Sequence, residues 1–216
     1  MKTLLLPICL SVGLLASLSA QETPAKPAEG LDKAKLAATR TVAINNLKQI
    51  GVALIEFDSE YGAYPNAETA KDVKEATGTE FKLEGKTSND FFRQLLLAGL
   101  KNEKLFQFGA PAKPADNKFT TESEAFARGE CEFAYFPGAS ASNDPSRPLV
   151  VAALLPGKME FDPAVFDGKA VVLRNDLSVT VQPINEKGEV IVNGKSLLDP
   201  SQPYWQGKKP EVAWPK

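Results

Sequence analysis

Residues 43–65, AINNLKQIGVALIEFDSEYGAYP, decide the fold. Leu47, Ile50, Leu54, Phe57 and Tyr61 step by three and four, so they share one stripe of an α-helix. Leu36, Ala43 and Ile44 extend the stripe backwards, and Lys48, Gln49, Glu56 and Ser59 fall on the other side. Gly62 suits a left-handed C-cap, and Pro65 prevents the helix from resuming. A helix from Leu31 or Asp32 to Tyr61 would be ~45 Å long, at ~1.5 Å per residue. The stripe is expected to pack on the chain's own sheet, because the second half supplies strands that need a cover.

Between the two halves lie shorter helices. Asn66 is a good N-cap for a helix over 67–76 that ends at Thr77-Gly78. Ser88, Asn89 or Asp90 can cap another, with Phe91, Phe92, Leu95, Leu96 and Leu100 as its apolar face and Gly99 at its end. Residues 111–116 read as a loop with no evident charge logic. After Ala127 the period becomes two, so Cys131, Phe133 and Tyr135 share one strand face and Glu132, Ala134 and Phe136 the other. The continuous apolar run Leu149–Leu155 suits a central strand buried on both faces. Residues 170–174 and 177–181 form a hairpin across Asn175-Asp176, and Glu189–Val192 is a further strand. The Pro-rich end around Tyr204, Trp205 and Trp214 is extended, with its aromatics pinned to the body. Helices first and antiparallel strands afterwards give an α+β fold: a long N-terminal helix packed on an antiparallel sheet of about four strands.

The first twenty residues have the order of a secretory signal peptide: Lys2, an apolar run from Leu4 to Leu15, then small residues to Ala20. Cleavage is expected after Ala20, with retention as a membrane anchor as the alternative. Residues 21–30 read as a Pro/Ala-rich extended linker and 31–216 as a single domain. The exported protein would be periplasmic or secreted. Cys9 leaves with the signal, so Cys131 stands alone and is read as a small buried hydrophobe on a strand. A formal net charge of −2 gives no basic footprint for nucleic acid. The chain has no histidine, which excludes Ser-His-Asp and Cys-His catalysis and His-ligated zinc.

Two separated blocks carry a family resemblance. Asn45-Asn46-Leu47-Lys48-Gln49-Ile50-Gly51 with Tyr61-Gly62-Ala63-Tyr64-Pro65 resembles the helix-to-loop passage of bacterial type II secretion pseudopilins, the general secretion pathway protein G-like family. Residues 166–173, FDGKAVVL, with Asn175-Asp176-Leu177-Ser178-Val179, resemble the closing hairpin of such proteins. Residues 91–95 and 102–106 are similar to the intervening region of an exported subset. The resemblance implies a pseudopilin-like head and partners among envelope or secretion-system proteins, with the chain a monomer or weak oligomer. The N-terminus departs from the pattern. The apolar segment precedes the expected cut, and no prepilin cleavage site with a following Glu is present.

No residue is assigned a catalytic or cofactor-binding role. Gly194-Lys195-Ser196 matches the end of a P-loop, but Glu189 stands where the motif needs Gly, so the match is accidental. Glu56, Asp58 and Glu60 read as solvated surface. Asp162, Asp167, Asn175, Asp176 and Asp199 could serve calcium as loop oxygens, as in some pseudopilins, yet Asp and Asn are ordinary turn residues and none is singled out as a ligand. The leading expectation is a non-enzymatic exported protein acting through protein contacts. The alternative is a binding module for a glycan, small molecule or divalent ion, built from the loop 138–148 with Tyr204, Trp205 and Trp214. An enzyme using Asp, Glu, Lys or Tyr is the third reading.

Overall fold

The α+β architecture is as expected, with one layer more than the sequence suggested. The structure is a computed structural model and describes residues 27–216; the expected signal peptide and residues 21–26 lie outside the described residues. Helix α1 spans Pro27–Tyr61, 35 residues or about 52 Å. It starts earlier than Leu31, so the expected linker is already helical from Pro27. Proline fits a first helical turn, where its missing N–H costs nothing, and Ala28 and Glu29 favour the helix that follows. The stripe is as the spacing predicts: Leu47, Ile50 and Leu54 are fully buried, Ala43 and Phe57 are buried, and Tyr61 is partly buried. Each large apolar side chain of this kind contributes about 1.5–3 kcal/mol by leaving water.

Helix α2 is Thr69–Thr77, shorter than expected, because Asn66 caps a turn ahead of it by accepting from the N–H groups of Glu68 and Thr69. Helix α3 is Ser88–Leu97. Its cap is Thr87, not a residue of 88–90. The Thr87 hydroxyl accepts from the Asp90 N–H while the Asp90 carboxylate accepts from the Thr87 N–H, a reciprocal capping box. This helix is buried nearly all round, and its polar residues survive burial by bonding to loops. Asn89 donates to the Phe126 and Ala127 carbonyls, Arg93 donates to those of Ala125 and Phe126, and Gln94 donates to that of Asn66.

Strands β1 (Ala134–Tyr135), β2 (Pro148–Ala152), β3 (Lys169–Arg174) and β4 (Val179–Pro183) form an antiparallel meander in sequence order. Helix α1 crosses β3 and β4. Gly51 makes that approach close: a Cβ there would stand 3.2 Å from Leu173 Cδ1. The face alternation is as predicted, with Cys131, Phe133 and Tyr135 in the core under the helices and Ala134 and Phe136 in the core on the far side. That far side is the added layer. Residues 190–214 cover it, and Val190, Leu197, Tyr204 and Trp205 pack on Val151, Ala170 and Val172. Both faces of β2 and β3 are therefore dry, which explains their unbroken apolar runs.

Two turns differ from expectation. The β3–β4 loop is longer than Asn175-Asp176, because Arg174 N–H bonds to the Ser178 carbonyl and Leu177 takes φ +64°. The strand expected at 189–192 is reduced to β5 (Ile191–Val192), which pairs with β6 (Lys195–Ser196) in a separate ribbon. Asn193 and Gly194 both have positive φ between them, the geometry of a tight two-residue hairpin. Gly194-Lys195-Ser196 is thus a turn and a strand, not a phosphate loop.

Candidate functional site

The two sequence blocks of the pseudopilin resemblance meet in space. Tyr64 is fully buried and donates its hydroxyl to Asn175 Oδ1 at 2.9 Å. Asn175 in turn donates to the Ser140 and Asn143 carbonyls. Tyr64 N–H bonds to the Ala139 carbonyl, the Tyr135 hydroxyl bonds to the Pro65 carbonyl, and Asp58 Oδ1 accepts from the Ala141 N–H. The end of α1, the β3–β4 turn and the loop 138–148 are locked together. Burial first, and the Asp58 charge second, push the Tyr64 pKa up to about 12. Asp58 therefore has a structural task, while Glu56 and Glu60 line a small cavity of about 260 Å³ beside Phe57 and Leu95.

Beyond this junction, the same loop and the C-terminal segment enclose a cavity of about 310 Å³. Of the aromatics expected there, Tyr204 and Trp205 come together and Trp214 does not line it. Tyr204 and Trp205 are each 5% exposed and both donate to the Leu197 carbonyl, so they close the core. Arg147, which the sequence reading passed over, is what they bring into the cavity. Its guanidinium lies 5.1 Å from the centre of the Trp205 ring and donates from Nη2 to the Pro137 carbonyl at 2.9 Å. Burial pulls its pKa below the ordinary arginine value.

The residues weighed as calcium ligands do not converge. Asp162, Asp176 and Asp199 each accept from a backbone N–H two residues onward, the Asx turn that makes Asp common in loops. The acidic side chains that do converge are Glu103, Asp116 and Glu130, with an oxygen of each within 4.8 Å of the others. The segment 111–116 thus has a charge logic after all. Lys113 Nζ lies 2.6 Å from Glu130 Oε1 and 3.6 Å from Asp116 Oδ2, a cation paired with two of the three carboxylates. Glu103 accepts from the N–H groups of Asn117 and Phe126, so the buried carboxylates organise an irregular loop. Burial, opposed by the Phe126 N–H and aided by the neighbouring carboxylates, leaves the Glu103 pKa raised. This spacing, from 103 to 130 in sequence, carries no local pattern that could have announced it.

Cys131 is buried, and its thiol is pushed up to about 12 by that burial. At the other end of the molecule, α1 reaches beyond the sheet. Residues 30–35 are exposed, and Leu31, Val42 and Val52 are 73%, 44% and 53% accessible on its outer side. Where α1 leaves the body, a groove of about 640 Å³ runs past Leu36, Thr39, Phe108, Ala153, Pro156 and Val165. No helix of the described residues is long and apolar enough to cross a membrane.

No curated protein and no solved structure matches the chain. A family model does match, over residues 32–162, which is more than half of the sequence and runs from the first turns of α1 to the segment after β2. The chain belongs to that family, the proteins of unknown function described as DUF1559.

Proposed function

We propose that this protein is an exported, non-enzymatic pseudopilin-like head that works in a type II secretion or related envelope assembly through protein–protein contacts. The observation that carries the reading is α1. Its last half packs on the fold through one face, while residues 30–35 are exposed and Leu31, Val42 and Val52 point to solvent on its outer side. Large apolar side chains on an uncovered helix face are what a partner helix or a partner surface would bury. The apolar groove at Leu36 and Phe108 adjoins that face and widens the contact area.

A photo-crosslinking side chain at Val42 or Val52, at native expression, tests it. The expected product joins the chain to a defined envelope component, and Val42→Glu removes the product formed from position 52 while leaving the melting temperature unchanged. Absence of any envelope crosslink from these positions refutes the reading. Intact mass with membrane fractionation settles the location: a soluble species starting at Gln21 fits a free head, and a membrane species retaining residues 4–15 fits an anchored one.

One observation favours a second reading, a ligand-binding module. The loop 138–148 and the C-terminal segment do enclose a polar cavity around Arg147. A thermal-shift screen with glycans, small anions and divalent ions separates it from the first.

A further inference from the structure

The cavity at Arg147 has an electrostatic demand that the chain does not meet. Its charged lining is Arg147, Lys208, Lys209 and Glu211, three cations against one carboxylate. Arg147 forms no ion pair among the described residues. Its Nε is buried with no hydrogen-bond partner, and Nη2 is committed to the Pro137 carbonyl. Nη1 makes no hydrogen bond among the described residues, so two of the three guanidinium nitrogens are left without an acceptor. A guanidinium drawn partly out of water without a counter-charge is destabilised until an anion reaches it. The Trp205 face and the Pro137 carbonyl meanwhile hold it in a fixed orientation, so little side-chain freedom would be lost on binding.

We propose that this cavity is a binding site for a phosphate-class dianion, either free phosphate or the phosphate group of a small monoester. The proposal rests on the second reading above and names its ligand. The lining carries a net charge of plus two, which a dianion neutralises and a monocarboxylate does not. Arg147 supplies oriented donors, and Lys208 and Lys209, both exposed at the rim, supply mobile charge. The Trp205 ring is taken by the guanidinium and by the core, and Tyr204 is buried to the same extent, so the lining offers little aromatic face for stacking a neutral sugar. A volume of about 310 Å³ admits phosphate with room for a short ester group.

The test uses the intact exported chain carrying Trp214→Phe, so that Trp205 is the remaining tryptophan. Its fluorescence is followed on titration with inorganic phosphate and with glycerol phosphate, at ionic strength held constant with potassium chloride. A saturable change is expected with at least one of them. The double variant Lys208→Gln/Lys209→Gln, altered only at exposed positions, should keep its unliganded melting temperature and bind about tenfold more weakly. Equal affinities identify the phosphate group alone as the ligand; tighter binding of glycerol phosphate identifies a monoester. No saturation by either probe in the tens of millimolar overturns the proposal, as does saturation indifferent to the loss of both lysines. A thermal shift with glucose or calcium but not phosphate also overturns it, while leaving the binding-module reading standing.

Discussion

Replacing Asn175 with Ala should unlock the junction that joins α1, the β3–β4 turn and the loop 138–148. Asn175 is 5% exposed and makes three side-chain hydrogen bonds, to the Tyr64 hydroxyl at 2.9 Å, the Ser140 carbonyl at 3.2 Å and the Asn143 carbonyl at 2.9 Å. The two carbonyls belong to a surface loop and can turn to water, so their loss is cheap. The Tyr64 hydroxyl is buried with no other acceptor, and stranding it costs about 1–3 kcal/mol. With the weaker bonds added, the variant should lose about 2–4 kcal/mol, a fall of roughly 5–15 °C in melting temperature for a domain of this size. Tyr64→Phe removes the stranded donor in advance, so Asn175→Ala should cost less in that background. Urea unfolding of both single variants and the double variant measures the coupling, expected at about 1 kcal/mol or more. Additivity within about 0.5 kcal/mol would refute the claim that the two sequence blocks are joined through this bond.

Gly51→Ala should be within about 1 kcal/mol of neutral, because the helix-propensity gain offsets the push on Leu173 Cδ1 at 3.2 Å; Gly51→Val should destabilise by about 1–3 kcal/mol, read by the same unfolding curves. Cys131 should resist iodoacetamide in the native protein and react once urea unfolds it, because it is buried and its thiol is pushed up to about 12. Cys131 and Tyr64 both have folded pKa values raised to about 12, from 9.0 and 10.0, so the neutral forms are favoured in the fold. Their contribution is complete below the unfolded values and is lost as pH rises through 9 and 10 towards 12, and stability followed by circular dichroism should fall across that window. Thr87→Ala should cost about 1 kcal/mol by opening the capping box. For Asp90, burial alone would raise the pKa, but the Thr87 and Lys86 hydrogen bonds and the Arg93 charge hold it below its usual value. That stabilisation is present at neutral pH and is lost as pH falls through the carboxylate range, so the Thr87→Ala penalty should shrink in acid.

What was legible in the sequence was whatever repeats with a short period. The stripe Leu47, Ile50, Leu54, Phe57 is a helix face read directly, and the alternation of Cys131, Phe133, Tyr135 against Ala134, Phe136 was read directly too, although only Ala134–Tyr135 of that expected strand is paired as β1. Helix ends were harder, since Thr87, Ser88, Asn89 and Asp90 are all competent caps and only the reciprocal bond to Asp90 selects Thr87. The covering layer was not legible because residues 190–214 have no period: a ribbon, a single 3₁₀ turn at Pro203–Trp205 and bridges such as Tyr135 to Ala213 do the work. The carboxylate cluster and the Arg147 cavity escaped for the same reason. Each is assembled from residues far apart in sequence, and an isolated Arg or Glu in a loop looks like solvated surface until its neighbours are known.

The span shared with the family is not a structural unit by itself, and this bears on function. It ends at Asp162, before β3, yet β3 lies between β2 and β4 and receives α1 at Gly51 and Leu173. Tyr64 lies inside the shared span and its partner Asn175 outside it. The same division runs through the cavity, where Arg147 comes from the shared span and Trp205, Lys208 and Lys209 come from beyond it. The matched span therefore takes in only part of the helix face that carries Leu31 and Val42, since it opens at Asp32, and only one wall of the anion cavity. A relative that kept Arg147 but lacked the cationic C-terminal wall would hold the guanidinium and lose the charge balance that selects a dianion. The cavity is also tied to the junction at Tyr64, because Asn175 donates from its backbone N–H to the Arg147 carbonyl and from its side chain to the Asn143 carbonyl, so the loop that carries the guanidinium is held by a residue from beyond the matched span.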